Sequence, residues 1–153
     1  MKTLSYQVPK PQAPFKPMPV VIRGKDESES TLTRDPLTGH SKTLIIIPAY
    51  NEEKNIGAVL EGIQQKVPGI PVLVINDGSA DNTESVARSH GASVISLPYN
   101  SGYGVALQTG FIFAAKNNFS IVIQMDSDGQ HDPANINDLL EEVKKDEVDV
   151  VIG

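Results

Sequence analysis

Two carboxylates two residues apart, Asp126 and Asp128, close a short apolar run, Ile121-Val122-Ile123-Gln124-Met125. Acids this close repel each other unless a cation lies between them. Hard divalent ions take oxygen ligands, and magnesium usually binds one or two carboxylates together with substrate phosphates. The pair therefore points to a metal-diphosphate site. A turn that merely uses aspartate for local hydrogen bonds would look the same in isolation. An EF-hand is excluded by counting: from Asp126 the glycine falls fourth rather than sixth, and the twelfth residue is Asn137 rather than an acid.

The run before the pair is short, β-branched and bounded by polar residues, which predicts a buried strand. Three more such runs precede it: Leu44-Ile45-Ile46-Ile47, Val72-Leu73-Val74-Ile75 and Val94-Ile95-Ser96-Leu97. Between them the spacing predicts helices over about 52–66, 82–90 and 105–117. A further helix over about 133–145 leads to a fifth strand, Val148 to Ile152. Continuous apolar strands alternating with helices predict an α/β fold with an open, doubly wound, mostly parallel sheet, a Rossmann-like architecture that several nucleotide-binding families share. In such a sheet the strand ends share one edge, where ligands bind. Tyr50-Asn51-Glu52, Asp77-Gly78-Ser79 and Asp126-Ser127-Asp128 would converge there, beside the glycine-rich loop Asn100-Ser101-Gly102-Tyr103-Gly104.

Composition narrows the class. A chain of 153 residues holds one domain with a core, and a net charge of -6 argues against nucleic acid as a partner. There is no cysteine, so thiolate chemistry is absent. No apolar run reaches the length of a membrane span, and the N-terminal residues lack the apolar core expected of a signal peptide. A cytoplasmic location is the expectation, extending to the cytoplasmic face of the membrane. Residues 1–42 differ from the rest. Pro9, Pro11, Pro14, Pro17 and Pro19 forbid a helix or central strand, so a Pro-rich, disordered tail is expected, with a partner-docking arm as the alternative. Within it Val20-Val21-Ile22 could pair as an edge strand. Residues 43–153 would form the folded part.

The loops reject other α/β sites. The first strand is followed by Pro48-Ala49-Tyr50-Asn51-Glu52 instead of a G-x-G-x-x-G turn, and no Walker A loop occurs. A receiver-type domain with Asp77 or Asp126 as phosphoacceptor would leave the acid pair and the glycine-rich loop without a role.

Four ordered blocks instead resemble family 2 glycosyltransferases: Ile45-Ile46-Ile47-Pro48-Ala49-Tyr50-Asn51-Glu52, Asn76-Asp77-Gly78-Ser79-Ala80-Asp81, Asn100-Ser101-Gly102-Tyr103-Gly104 and Met125-Asp126-Ser127-Asp128-Gly129-Gln130-His131-Asp132-Pro133. The likeness is strongest to the branch of polyprenyl-phosphate and dolichyl-phosphate sugar transferases, and it covers Thr43 to Gly153. It implies a GT-A fold and a nucleotide-diphosphate-sugar donor, UDP- or GDP-linked. By position Pro48, Tyr50 and Glu52 would line the nucleoside pocket, while Ile75 and Asp77 would pack on and hydrogen-bond the base. Asp126 and Ser127 would lie against ribose and diphosphate. Asp128 would ligate Mg2+ or Mn2+, with Gln130 as a further ligand, and Asp126 and Asp128 would be the catalytic pair. His131 is the weakest candidate, and Asp132 before Pro133 reads first as a helix N-cap. Ser127 stands where many relatives have alanine.

The resemblance implies an inverting displacement at the anomeric carbon. The acceptor would be a lipid phosphate, with peripheral membrane contact, or a growing glycan of the cell envelope. In the family the acceptor-side residues mostly follow the fifth strand. The chain is therefore expected to hold an incomplete, donor-binding part, inactive alone. The alternative is a nucleotide-sugar-binding domain without transfer.

Overall fold

The computed structural model describes residues 20–23, 43–129, 133–144 and 150–152; for 20–23, 144 and 150–152 only the backbone is considered. Six strands and four helices follow in the order β1 (Val20–Arg23), β2 (Thr43–Ala49), α1 (Ile56–Lys66), β3 (Val72–Asn76), α2 (Thr83–Ser89), β4 (Ser93–Ser96), α3 (Tyr103–Lys116), β5 (Ile121–Gln124), α4 (Asn135–Lys144) and β6 (Val150–Ile152). They build one sheet in the order β4-β3-β2-β5-β1-β6. The β2–β3, β3–β4 and β2–β5 pairs are parallel, as the alternation of strands and helices predicts.

Both faces of the sheet are covered. Ile45, Ile47, Val74 and Ile123 pack with α1, α2 and α4 through Ile56, Val59, Leu60, Ile63, Ala87, Ile136 and Leu139. Leu44, Ile46, Leu73, Ile75 and Val122 pack with α3 through Ala106 and Ala114. Alternate residues of β2, β3, β4 and β5 thus enter opposite cores, which is why these strands read as unbroken apolar runs rather than as alternating patterns.

Two expectations are corrected. Val20-Val21-Ile22 is not at an edge: β1 lies inside the sheet, antiparallel to β5 (Val20 opposite Gln124) and to β6 (Val20 opposite Ile152). The final strand is accordingly held to β1, antiparallel to it. Such pairing between residues about a hundred positions apart leaves no local signature, and a run of three apolar residues specifies only that a strand is feasible. Pro48 does not end its strand either; β2 continues to Ala49. In a parallel strand alternate residues bond to opposite neighbours. Ile46 bonds toward β5, its carbonyl accepting from the Met125 amide at 3.0 Å, whereas Ala49 bonds toward β3. Pro48 has the parity of Ile46, and pairing with β5 has already stopped at Ile46. Its missing N–H therefore costs no ladder bond.

Gly110 sets the approach of α3 to the sheet. A Cβ there would stand 2.5 Å from Ile46 Cγ2. Alanine would gain about 1 kcal/mol of helix propensity. Ile46, however, is wholly buried and β-branched, so it cannot turn aside freely. Overpacking by a methyl group costs about 1–3 kcal/mol, and so close an approach lies at the upper end. Gly110→Ala is expected to lower the urea midpoint with an unchanged m-value, and Gly110→Val to lower it further.

Candidate active site

After β2 the chain builds β3 and β4 on one side, then crosses to β5 on the other. The strand ends diverge at that reversal, and a ligand crevice forms there in open α/β sheets. A cleft of about 340 Å3 occupies the place, lined by Pro48, Ala49, Tyr50, Glu52, Asp77, Asn100, Tyr103, Ala106, Asp126, Ser127 and Asp128. Seven of the residues singled out from the sequence, Pro48, Tyr50, Glu52, Asp77, Asp126, Ser127 and Asp128, thus meet in one cavity. Ile75 is not among them: it is fully buried in the core beneath α3. Its parity along β3 directs it into the sheet face, not past the strand end. Gln130 lies outside the described residues, as do His131 and Asp132.

The two acids of the pair sit differently. Asp126 is buried, whereas Asp128 is exposed. Asp126 Oδ1 accepts a hydrogen bond from the Tyr103 hydroxyl at 3.2 Å, and that hydroxyl accepts from Gln124 Nε2 at 2.5 Å. Burial, then the charge of Asp126 and its hydrogen bond, push the Tyr103 hydroxyl up to about 12. It remains a donor across the physiological range. Among the described residues no cluster of three acidic, histidine or cysteine side chains could hold a metal alone. A pair of carboxylates fits a cation that also takes phosphate oxygens from a ligand.

Asp77 has a second occupation. Only 4% exposed, it accepts the Ser101 amide on Oδ1 at 2.7 Å and the Gly102 amide on Oδ2 at 2.8 Å. The carboxylate thereby ties the end of β3 to the glycine-rich loop. Gly78 lets the loop come this close: its φ is +67°, and a Cβ would meet the Tyr99 carbonyl carbon at 2.3 Å. Gly102, with φ of +95°, turns the chain into α3.

The loops after β2 and β3 are clamped to each other. Asn51, itself at φ 55°, donates its amide to Ser79 Oγ at 2.9 Å and accepts the Ala80 amide at 2.8 Å. The Glu52 amide donates to Thr83 Oγ1, and the Glu53 amide to Asp81 Oδ2. Thr83 is fully buried and in turn donates to Asp81. The sequence marked Asn51 and Asp81 as parts of ligand-binding blocks; their bonds here make them scaffold. Tyr103, Asn100, Ala49 and Ala106 line the cleft without having been singled out. Tyr103 and Asn100 carried a signal in the glycine-rich loop and Ala49 in the first of the four blocks, whereas Ala106 carried none.

Two outcomes follow from these bonds. In Asp77→Asn the amide nitrogen would face a backbone donor, which is expected to cost about 1–3 kcal/mol for a buried group left unpaired. Faster hydrogen exchange at Ser101 and Gly102 would localise the loss. Burial raises the Asp81 carboxyl, but the hydrogen bonds from Thr83 and Glu53 outweigh it and hold the group below its usual range. A lowered folded-state value adds stability above the unfolded value of about 3.9 and loses it as pH falls through the folded one. Acid titration of stability below about pH 4 is expected to be shallower in Asp81→Asn.

Comparison with known proteins identifies the family and the fold type. The profile described as Glycosyl transferase family 2 matches residues 44–153. Polyprenol monophosphomannose synthase of Mycolicibacterium smegmatis is 32% identical over 138 residues, 83% of this chain and 51% of that protein. Undecaprenyl-phosphate mannosyltransferase of Micrococcus luteus is 33% identical over 117 residues, 73% of this chain and 47% of that one. The chain spans about half the length of the curated relatives it matches. Glucosyl-3-phosphoglycerate synthase from Mycobacterium tuberculosis, crystallised with Mn2+, UDP-glucose and phosphoglyceric acid, superposes with a TM-score of 0.58 at 30% identity. That superposition covers 69% of this chain and 40% of the synthase. The α/β sheet is of the GT-A type expected from the sequence, and the chain belongs to glycosyl transferase family 2.

Proposed function

We propose that the protein transfers a sugar from a nucleotide-diphosphate donor to a lipid phosphate, and that the cleft is its donor site. One observation carries the reading: the ends of β2, β3 and β5 deliver Tyr50 and Glu52, Asp77, and Asp126-Ser127-Asp128 into a single cavity at the point where the strand order reverses. In this assignment Pro48, Tyr50 and Glu52 flank the nucleoside, Asp126 and Ser127 lie against ribose and diphosphate, and exposed Asp128 holds a divalent cation. Asp77 contributes through the remaining lone pairs of its carboxylate and by fixing the glycine-rich loop. A bound Mg2+ or Mn2+ would offset the repulsion between acid pair and diphosphate and stabilise charge on the leaving group as a Lewis acid.

The acceptor class is supported by the relatives' names, which specify polyprenol and undecaprenyl phosphate. A phosphate monoester is largely ionised at neutral pH and attacks the anomeric carbon with little general-base help. Such an acceptor implies a reaction at a membrane surface, which we assign to its cytoplasmic face. Among the described residues no helix is long and apolar enough to cross a membrane. The synthase neighbour was crystallised with Mn2+ and UDP-glucose, which supports the cation and the donor class.

Calorimetric titration of the chain with UDP-sugars and GDP-sugars, with and without Mn2+, tests the donor site. Binding is expected for one of the two bases, strengthened by Mn2+. Asp128→Ala is expected to weaken it at least about tenfold with the metal and little without it, the size of one lost charge-assisted contact. Binding that ignores both Mn2+ and Asp128 would refute the metal assignment. Transfer to a polyprenyl phosphate in detergent, assayed with a protein of the relatives' full length, separates a transferase from a domain that only binds the donor.

A further inference from the structure

Tyr103 is the first residue of α3 and half-exposed in the cleft, yet its hydroxyl is committed on both sides. It accepts from Gln124 Nε2, at the end of β5, and donates to Asp126 Oδ1 two residues further on. A phenol has a single proton. With the Gln124 amide able only to donate, that proton must be directed at Asp126. The order amide, hydroxyl, carboxylate therefore has one polarity. The next residue back, Gly102, is held by Asp77 through its amide. A continuous path thus runs from the end of β3, through the glycine-rich loop, to the buried acid at the end of β5.

We infer that Tyr103 is a positioning residue of the donor site: its hydroxyl orients the Asp126 carboxylate for the ribose and diphosphate, and so makes donor binding depend on the placement of the glycine-rich loop. The inference rests on the donor-site reading above. Asp126 is buried, and a carboxylate in such a place swings unless its oxygens are fixed by donors. Tyr103 supplies one that stays protonated throughout the working pH range. Its position on a helix anchored by Asp77 gives it a defined reach, which a side chain on a free loop would lack.

Two variants separate this role from simple packing. Tyr103→Phe keeps the ring and removes the donor. Tyr103→Lys discards the ring but keeps a long donor able to reach a carboxylate. Affinity for the nucleotide sugar in Mn2+ is read by calorimetry, with circular dichroism to verify folding. Phe is expected to weaken binding about tenfold, the scale of a hydrogen bond to a charged group, and Lys to stay within about threefold of the parent. A packing role gives the reverse order, with Phe near the parent and Lys impaired, and would overturn the inference while leaving the donor site intact. Absence of any nucleotide-sugar binding by the folded parent chain would overturn the donor-site reading and this inference with it.

Discussion

The site depends first on the Asp77 carboxylate and the two backbone amides it accepts. A charged acceptor bonded by two amides while almost wholly buried is among the stronger local constraints a loop can have. Its two bonds tie the Asn100–Gly104 segment to the end of β3. Gly78 is the steric counterpart, since any side chain there would strike the backbone of Tyr99 and Asn100. Acid and glycine are adjacent because one draws the loop down and the other makes room for it. Tyr103, on the far wall of the cleft, directly follows Gly102, one of the two residues that Asp77 holds.

The opposite wall is built by mutual satisfaction of polar groups. Asn51, Glu52 and Glu53 after β2 spend their backbone amides on Ser79, Thr83 and Asp81 after β3. No buried side-chain nitrogen or oxygen among the described residues lacks a partner. This rigid edge leaves Tyr50 and the Glu52 side chain at the mouth of the cavity. Rigid support for the groups that meet a ligand is what a binding site requires, because loosely held side chains must be ordered at the moment of binding.

Between the two walls lie two acids with unlike surroundings. Asp126 is buried and bonded by a tyrosine, and Asp128 faces outward. The two carboxylates thus differ in exposure and in hydrogen bonding, which lets one D-x-D pair offer two different surroundings. In the proposed function the inner acid belongs to the donor and the outer one to the cation. The gap through which a diphosphate would enter exists because β5 stops pairing at Gln124 while β2 runs on through Pro48 to Ala49.

Much of this was legible in the chain alone. Unbroken β-branched runs separated by helical spacing determined the α/β class, since a strand buried on both faces must be apolar throughout. Polar residues at successive strand ends determined that Tyr50, Glu52, Asp77, Asp126 and Asp128 would meet, because parallel strands share one edge. Tertiary structure decided the rest. That Ile75 is core, that Asp77 holds a loop, that Asn51 and Asp81 are scaffold and that Tyr103 bonds Asp126 all depend on which groups lie within about 3 Å of one another across long stretches of sequence. The interior place of β1 depends on antiparallel pairing with β5, about a hundred residues away. Periodicity reports the environment of a residue along its own element. It carries no information about which distant partner takes its hydrogen bonds, and in this site those partners assign the roles.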